Sequence, residues 1–138
     1  MNATRILIVE DDVLIGLDVE DALVAAGYDV CGIATSEAEA LAMAAEFRPE
    51  MAIVDINLSP GDGRVVAKEL RRRYATTVMF ATGECQEVEG MAGTGAVACL
   101  PKPYAADEVP AALSAVARLA KGEHLRRLPD HMFALAAA

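Results

Sequence analysis

Five side chains spread along this sequence have the types that phosphoryl chemistry needs: Glu10, Asp11, Asp55, Thr82 and Lys102. A carboxylate such as Asp55 can attack phosphorus as a nucleophile and form an aspartyl phosphate. Both reactants are anionic, so the site must supply positive charge. Asp11 and Asp55 suit Mg²⁺, which prefers an octahedral oxygen shell completed by water and phosphate oxygens, and Glu10 suits a role in holding metal waters. The metal would bridge the nucleophile and one phosphoryl oxygen. Lys102 offers a point charge to a second oxygen, and the Thr82 hydroxyl can donate to a third. In such a site the protein contributes positioning and charge stabilisation. Each feature alone is ordinary: an acidic pair is usually a solvated loop, and Thr82-Gly83 is a common turn. The signal lies in their order and spacing.

These groups can meet only if the elements before them end at one place. Residues 51–57 (MAIVDIN) set the pattern: a β-branched apolar run, of the kind buried on both faces in parallel sheets, is cut off by one carboxylate. Asp55 therefore belongs at the C-terminal end of a strand, where open α/β sheets place their ligand sites. Arg5 to Val9 (RILIV) ends in Glu10-Asp11-Asp12 in the same way. Further strands are expected over residues 28–34, 77–81 and 96–100, the last two running into Thr82-Gly83 and Pro101-Lys102-Pro103.

Helices fill the gaps. Residues 13–26 carry Ile15, Val19, Ala22, Leu23 and Ala26 on one stripe, with Gly27 suited to the left-handed position after the helix end. Ser36 and Glu39 form a capping-box pattern opening a helix to about Phe47, which Pro49 stops. Pro60, Gly61 and Gly63 mark a turn over residues 58–63. A helix over residues 64–74 follows, with Arg71-Arg72-Arg73 in its last turn, where cations favour the macrodipole. Residues 84–95, with three glycines, predict a short, weak and mobile helix. Asp107 caps a last helix that tolerates Pro110 in its first turn and turns Val109, Leu113, Val116 and Ala120 inward. Strand and helix alternate five times with short connections, which means a parallel sheet covered on both faces. Right-handed crossovers would bring Glu10, Asp11, Asp55, Thr82 and Lys102 to one sheet edge.

Composition sets the bounds. The 138 residues suffice for one domain with a proper core. A net charge of −9 argues against non-specific binding to nucleic acid or membrane surfaces. There is neither a long enough apolar run to span a bilayer nor a signal-peptide pattern, so the expected location is the cytoplasm. Three unevenly spaced cysteines, Cys31, Cys85 and Cys99, show no metal-binding spacing and read as reduced small hydrophobes, with a redox switch between Cys85 and Cys99 as the remote alternative.

Over residues 4–121 the chain resembles the receiver domains of two-component response regulators. The resemblance rests on ILIVEDD at the first strand, IVDIN with the turn through Asp62-Gly63 at the third, FATG at the fourth and LPKP at the fifth. It implies a flavodoxin-like (βα)₅ fold, a doubly wound parallel sheet with strand order 2-1-3-4-5. It also implies that Asp55 is the phosphoacceptor and that Mg²⁺ is held by Asp11, Asp55 and the backbone carbonyl of Asn57, with Glu10 acting through water. Thr82 and Lys102 would bind the phosphoryl group and report its arrival, while Asp12 would be helix N-terminal charge. The partners implied are a sensor histidine kinase or histidine phosphotransferase and a downstream protein, with a homodimer also open. FATG is similar to the motif of stand-alone receivers that signal through the fourth strand, some as phosphate sinks or relays. One departure stands out: Cys99 occupies the place, three residues before the lysine, where many receivers carry a switching aromatic; Tyr104 is the nearest substitute.

Two other readings use the same residues. A haloacid-dehalogenase-like phosphatase would want a second Asp two residues after the nucleophile, where this chain has Asn57. A phosphorylation-independent pseudo-receiver would not need the intact acceptor, acidic pair, Thr and Lys. The receiver reading expects no enzymatic turnover beyond self-phosphorylation and self-dephosphorylation. Residues 122–138 are expected to be an extra helix or a disordered tail, too short for a DNA-binding module.

Overall fold

The computed structural model describes residues 3–83, 85, 93–129 and 131–135. Five parallel strands form the sheet: β1 (Arg5–Val9), β2 (Asp29–Ala34), β3 (Met51–Val54), β6 (Thr77–Thr82) and β7 (Ala98–Pro101). Between β3 and β6 lies a small antiparallel hairpin, β4 (Asn57–Leu58) and β5 (Gly61–Asp62). The helices among the described residues are α1 (Val13–Ala25), α2 (Glu37–Phe47), α3 (Gly63–Tyr74) and, after a 3₁₀ turn at Ala106–Glu108, α4 (Val109–Ala120). The sheet order β2-β1-β3-β6-β7 is the expected 2-1-3-4-5 order of the flavodoxin-like fold, and a sixth strand, β8 (Phe133–Ala134), closes its far edge.

The strand sequences explain why both faces are covered. Side chains alternate along a strand. Leu7, Val9, Ala52, Val54, Val78, Phe80 and Cys99 meet Ala40 and Ala44 of α2 and Val66, Ala67 and Leu70 of α3. The alternate residues Ile6, Ile8, Met51, Ile53, Met79, Ala81, Ala98 and Leu100 meet Val19 and Leu23 of α1 and Val109, Ala112, Leu113 and Val116 of α4. Strands that face a helix layer on each side have no polar face, which is why they read as unbroken apolar runs.

Caps fix where the helices begin. Asp12 accepts the Leu14 and Ile15 amides at 3.1 and 3.4 Å, the helix-terminal role expected of it. The Ser36 hydroxyl accepts the Glu39 amide at 3.2 Å, while Glu39 accepts the amide of Thr35, one residue earlier than a strict capping box. Arg72 and Arg73 pair with Glu69 at 2.7 and 2.8 Å, so part of the basic run closes on its own helix.

Four expectations need correction. Ala26 and Ala120 are exposed, because the buried stripes end one turn earlier. The tail is neither helical nor loose over its described residues. Leu125 and Leu128 pack beside α4, Met132 is buried, and Phe133–Ala134 pairs antiparallel with Ala98 and Cys99 of β7. Two residues leave too little hydrophobic period to mark a strand, so only the sheet edge reveals it. Asp107 does not cap the last helix: it lies inside the 3₁₀ turn, and α4 opens from Glu108 without a side-chain cap. The turn expected over residues 58–63 is present as a short hairpin, with cis peptide bonds at Ser59-Pro60 and, elsewhere, Lys102-Pro103. Finally, Cys85 and Cys99 are joined in a disulfide, and Cys31 is the free cysteine. They are 14 residues apart in sequence and meet because the turn after β6 comes back beside β7. The weak helix expected over residues 84–95 falls mostly outside the described residues. No helix among the described residues is long and apolar enough to cross a membrane.

Candidate functional site

The strand ends converge as the sequence requires. The Glu10 amide donates to the Ala34 carbonyl at 2.9 Å, and the Asp55 amide to the Val9 carbonyl at 2.9 Å. The Lys102 amide donates to the Thr82 carbonyl at 3.0 Å. Three ladder-like bonds thus align the residues that leave β1, β3, β6 and β7 on one edge of the sheet.

Glu10, Asp11 and Asp55 each bring a carboxylate oxygen within 4.8 Å of the others. Glu10 and Asp55 are buried, while Asp11 is exposed and opens the cluster to solvent. Lys102 spans the pair: its Nζ lies 2.6 Å from Glu10 Oε1 and 2.6 Å from Asp55 Oδ2. The other Glu10 oxygen accepts the Asp12 amide at 3.1 Å, and Asp55 Oδ1 accepts the Asn57 amide at 3.1 Å. Three carboxylates against one ammonium leave a formal excess of two negative charges. That donor set, all oxygen and two of three ligands buried, fits a hard divalent cation.

The electrostatics follow from this crowding. Burial raises the Glu10 carboxyl above its ordinary value, against the opposing pull of the Lys102 hydrogen bond. Burial works to lower the Lys102 ammonium, yet the hydrogen bonds to Asp55 and Glu10 outweigh it and the pKa rises. Lys102 is therefore a fixed positive charge at neutral pH. The half-buried Tyr104 phenol, desolvated and close to Glu10, is pushed up to about 12 and stays neutral.

Thr82, the last residue of β6, is fully buried and in register with Pro101, next to Lys102. Asn57 opens β4 and pairs with Asp62 across the hairpin; it is exposed. Gly63 has a role that its place in a turn does not reveal. A Cβ there would stand 1.9 Å from the Asp55 carbonyl oxygen, and its amide donates to the Ile56 carbonyl at 2.7 Å. The start of α3 is thereby pressed against the backbone of the central carboxylate. Asp62 caps that helix through the Arg64 amide at 2.8 Å. The disulfide also belongs to the site's surroundings: the Cys85 sulfur is 3.4 Å from the Thr82 carbonyl oxygen. Its one sequence signal is that each cysteine stands three residues from a site residue, Thr82 or Lys102.

Comparison with known proteins gives one consistent result. A family model describing the response regulator receiver domain matches residues 6–114. The transcriptional regulatory protein PdtaR of Mycobacterium tuberculosis is 33% identical over 117 residues, which cover 83% of this chain and 57% of PdtaR. The aerobic respiration control protein ArcA of Escherichia coli is 36% identical over 106 residues, covering 75% of this chain and 44% of ArcA. The chain spans about half the length of these relatives. Among solved structures, the chemotaxis response regulator CheY4 of Vibrio cholerae superposes with a TM-score of 0.77 at 28% identity, covering 83% of this chain and 99% of CheY4. The response regulator PhyR from Brucella abortus gives a TM-score of 0.76 at 30% identity, covering 88% of this chain and 50% of PhyR.

Proposed function

The chain belongs to the response regulator receiver domain family of two-component systems, and on that footing we propose that it accepts a phosphoryl group on Asp55 in a Mg²⁺-dependent reaction. The observation that carries this reading is the position of Lys102, 2.6 Å from Asp55 and from Glu10 beside the three-carboxylate cluster. A lysine in that place neutralises the acceptor before reaction and can follow a phosphoryl oxygen afterwards.

Asp11, Asp55 and the Asn57 carbonyl would hold the Mg²⁺, with Glu10 acting through water. When bound, the ion supplies charge neutralisation for the incoming phosphoryl group. The residues of the chain do the rest. Asp55 attacks phosphorus while its second oxygen stays oriented by the Asn57 amide. Lys102 and the Thr82 hydroxyl take the remaining phosphoryl oxygens and convey the change to β6 and β7. The chain turns over no separate substrate; it carries its own phosphorylation and dephosphorylation.

The donor in this reading is a cytoplasmic histidine kinase or histidine phosphotransferase. A macromolecular donor must cover the sheet edge to reach Asp55, and so must touch the start of α1, directly after Asp11-Asp12. Val13, Leu14 and Leu17 are exposed there, Leu14 at 76%. That apolar patch supports docking of a protein partner. The output is contact with a downstream protein, or storage of the phosphoryl group as a sink.

The test is acetyl phosphate with Mg²⁺ on the purified chain. One acyl phosphate, labile to alkali and cleaved by hydroxylamine, is expected at Asp55, absent in Asp55→Asn and absent when Mg²⁺ is chelated. A label that persists in Asp55→Asn would overturn the assignment.

A further inference from the structure

We propose that Cys85 and Cys99 form a reversible redox modification site, closed by thiol–disulfide exchange with a small-molecule disulfide, that governs how readily the ends of β6 and β7 adapt to a phosphoryl group on Asp55. The inference deepens the phosphoacceptor reading and rests on it.

Placement is the first argument. The two Cα atoms are 6.3 Å apart, inside the range that a disulfide requires. Cys85 follows Thr82 by three residues and Cys99 precedes Lys102 by three. Cys99 stands opposite Phe80 in the β6–β7 ladder. The bond therefore ties the turn leaving Thr82 to the strand that delivers Lys102. The Cys85 sulfur also sits 3.4 Å from the Thr82 carbonyl, where a reduced thiol could donate a hydrogen bond. If the thiols were mere filler, their location would be indifferent to the site; here both flank it.

Access is the second argument. Cys85 is 4% exposed and Cys99 fully buried, so exchange needs an opening. The cover is slight. Cys99 is paired on its open side with Phe133 of β8, and Phe133 and Leu135 pack against the cluster that contains both sulfurs. A two-residue edge strand lies at the weak end of local stability, and lifting it frees the edge of β7 that carries Cys99, while Cys85 lies in the turn beside it. Cys31 lies on β2, at the opposite edge of the sheet, with its thiol pushed up by burial and by Asp29. It is the internal control.

The chemistry balances with one oxidised co-reactant. The Cys85 thiolate attacks one sulfur of the small disulfide, forming a mixed disulfide and releasing one thiol. The Cys99 thiolate then attacks the Cys85 sulfur and releases the second thiol. The two cysteines lose two electrons and two protons in all, and the small disulfide takes both. Excess reduced thiol reverses each step.

The experiment treats the full chain with dithiothreitol or with glutathione disulfide, then removes the reagent. Peptide mass mapping should find a Cys85–Cys99 cross-link in the oxidised sample, with Cys31 left alkylatable. Labelling by acetyl phosphate and Mg²⁺ should be slower in the oxidised chain by about fivefold or more, the lower end of ordinary coupling between sites. Adding dithiothreitol should restore the rate, and Cys85→Ala should label equally under both conditions. Failure to form the cross-link overturns the proposal. So does a cross-linked chain that labels like the reduced one. No label on the reduced chain overturns the acceptor reading and its redox control together, whereas a label that oxidation leaves unchanged overturns this proposal alone.

Discussion

Lys102 places its ammonium 2.6 Å from Asp55 and reaches Glu10 at the same distance, so one cation holds two carboxylates from different strands. Its side chain is 22% exposed, while those of Glu10 and Asp55 are 5% and 7%. Charges this sheltered are poorly served by water when a partner is lost. Lys102, just past β7 and two strands from β3, thus ties the site together before any phosphoryl group arrives, and in the proposed reaction it also takes a phosphoryl oxygen.

Lys102→Met should separate these two roles. Metal-free, it leaves two buried carboxylates facing each other, which should cost about 1–3 kcal/mol of folding stability in urea melts. Labelling of Asp55 by acetyl phosphate should slow by about tenfold or more, since one charge-stabilising donor is gone. Wild-type labelling in a folded variant would remove Lys102 from the reaction.

The acidic cluster should respond to both pH and metal. Glu10 has a raised pKa in the folded chain. A raised carboxyl favours folding below its unfolded pKa, and that contribution is lost as pH rises through the folded value. With metal chelated, wild type should therefore lose stability relative to Glu10→Gln as pH rises from 4.5, the ordinary glutamate value, towards neutrality. Adding Mg²⁺ at neutral pH should reverse the loss, by about 2.7 kcal/mol at a hundredfold excess over Kd. Asp11→Asn should show little of that gain. Equal stabilisation of both chains by Mg²⁺ would place the metal elsewhere.

Gly63→Ala tests whether the glycine is there for space. Its Cβ would collide with the Asp55 carbonyl, so β3 and α3 must separate. The expected cost is about 1–3 kcal/mol, the usual range for overpacking. A shifted Asp55 should also label more slowly. Chemical denaturation together with the labelling rate would measure both effects, and an unchanged stability would show that the junction yields freely.

What the sequence disclosed and what it withheld follow one physical line. Apolar runs ending in Glu10, Asp55, Thr82 and Pro101-Lys102 marked the parallel strands, because a strand buried on both faces admits charge only at its end. The family resemblance supplied the strand order. The hairpin after Asp55 and the β8 edge were hidden, and the cysteine bond was visible only as a remote alternative to reduced thiols. Each depends on which segments become neighbours, and a two-residue strand or a pair 14 residues apart carries no periodicity of its own. Gly63 was visible as a turn residue, but its demand for space became apparent only with the Asp55 carbonyl in place.

Leu14 offers a test of where the donor docks. It is 76% exposed at the start of α1 and contributes little to the core, so Leu14→Glu should change folding stability by no more than about 0.5 kcal/mol. Acetyl phosphate is small enough to reach Asp55 without touching α1, and its labelling rate should be unchanged. In the proposed docking a phosphorylated histidine phosphotransferase presses on this patch, so its transfer rate should fall by about tenfold or more, as a buried interface anchor of about 1.4 kcal/mol or more would give. Comparing the two donors on the same variant isolates docking from chemistry. Equal slowing with both donors would place the defect in the site itself, and no slowing with either would move the partner to another face.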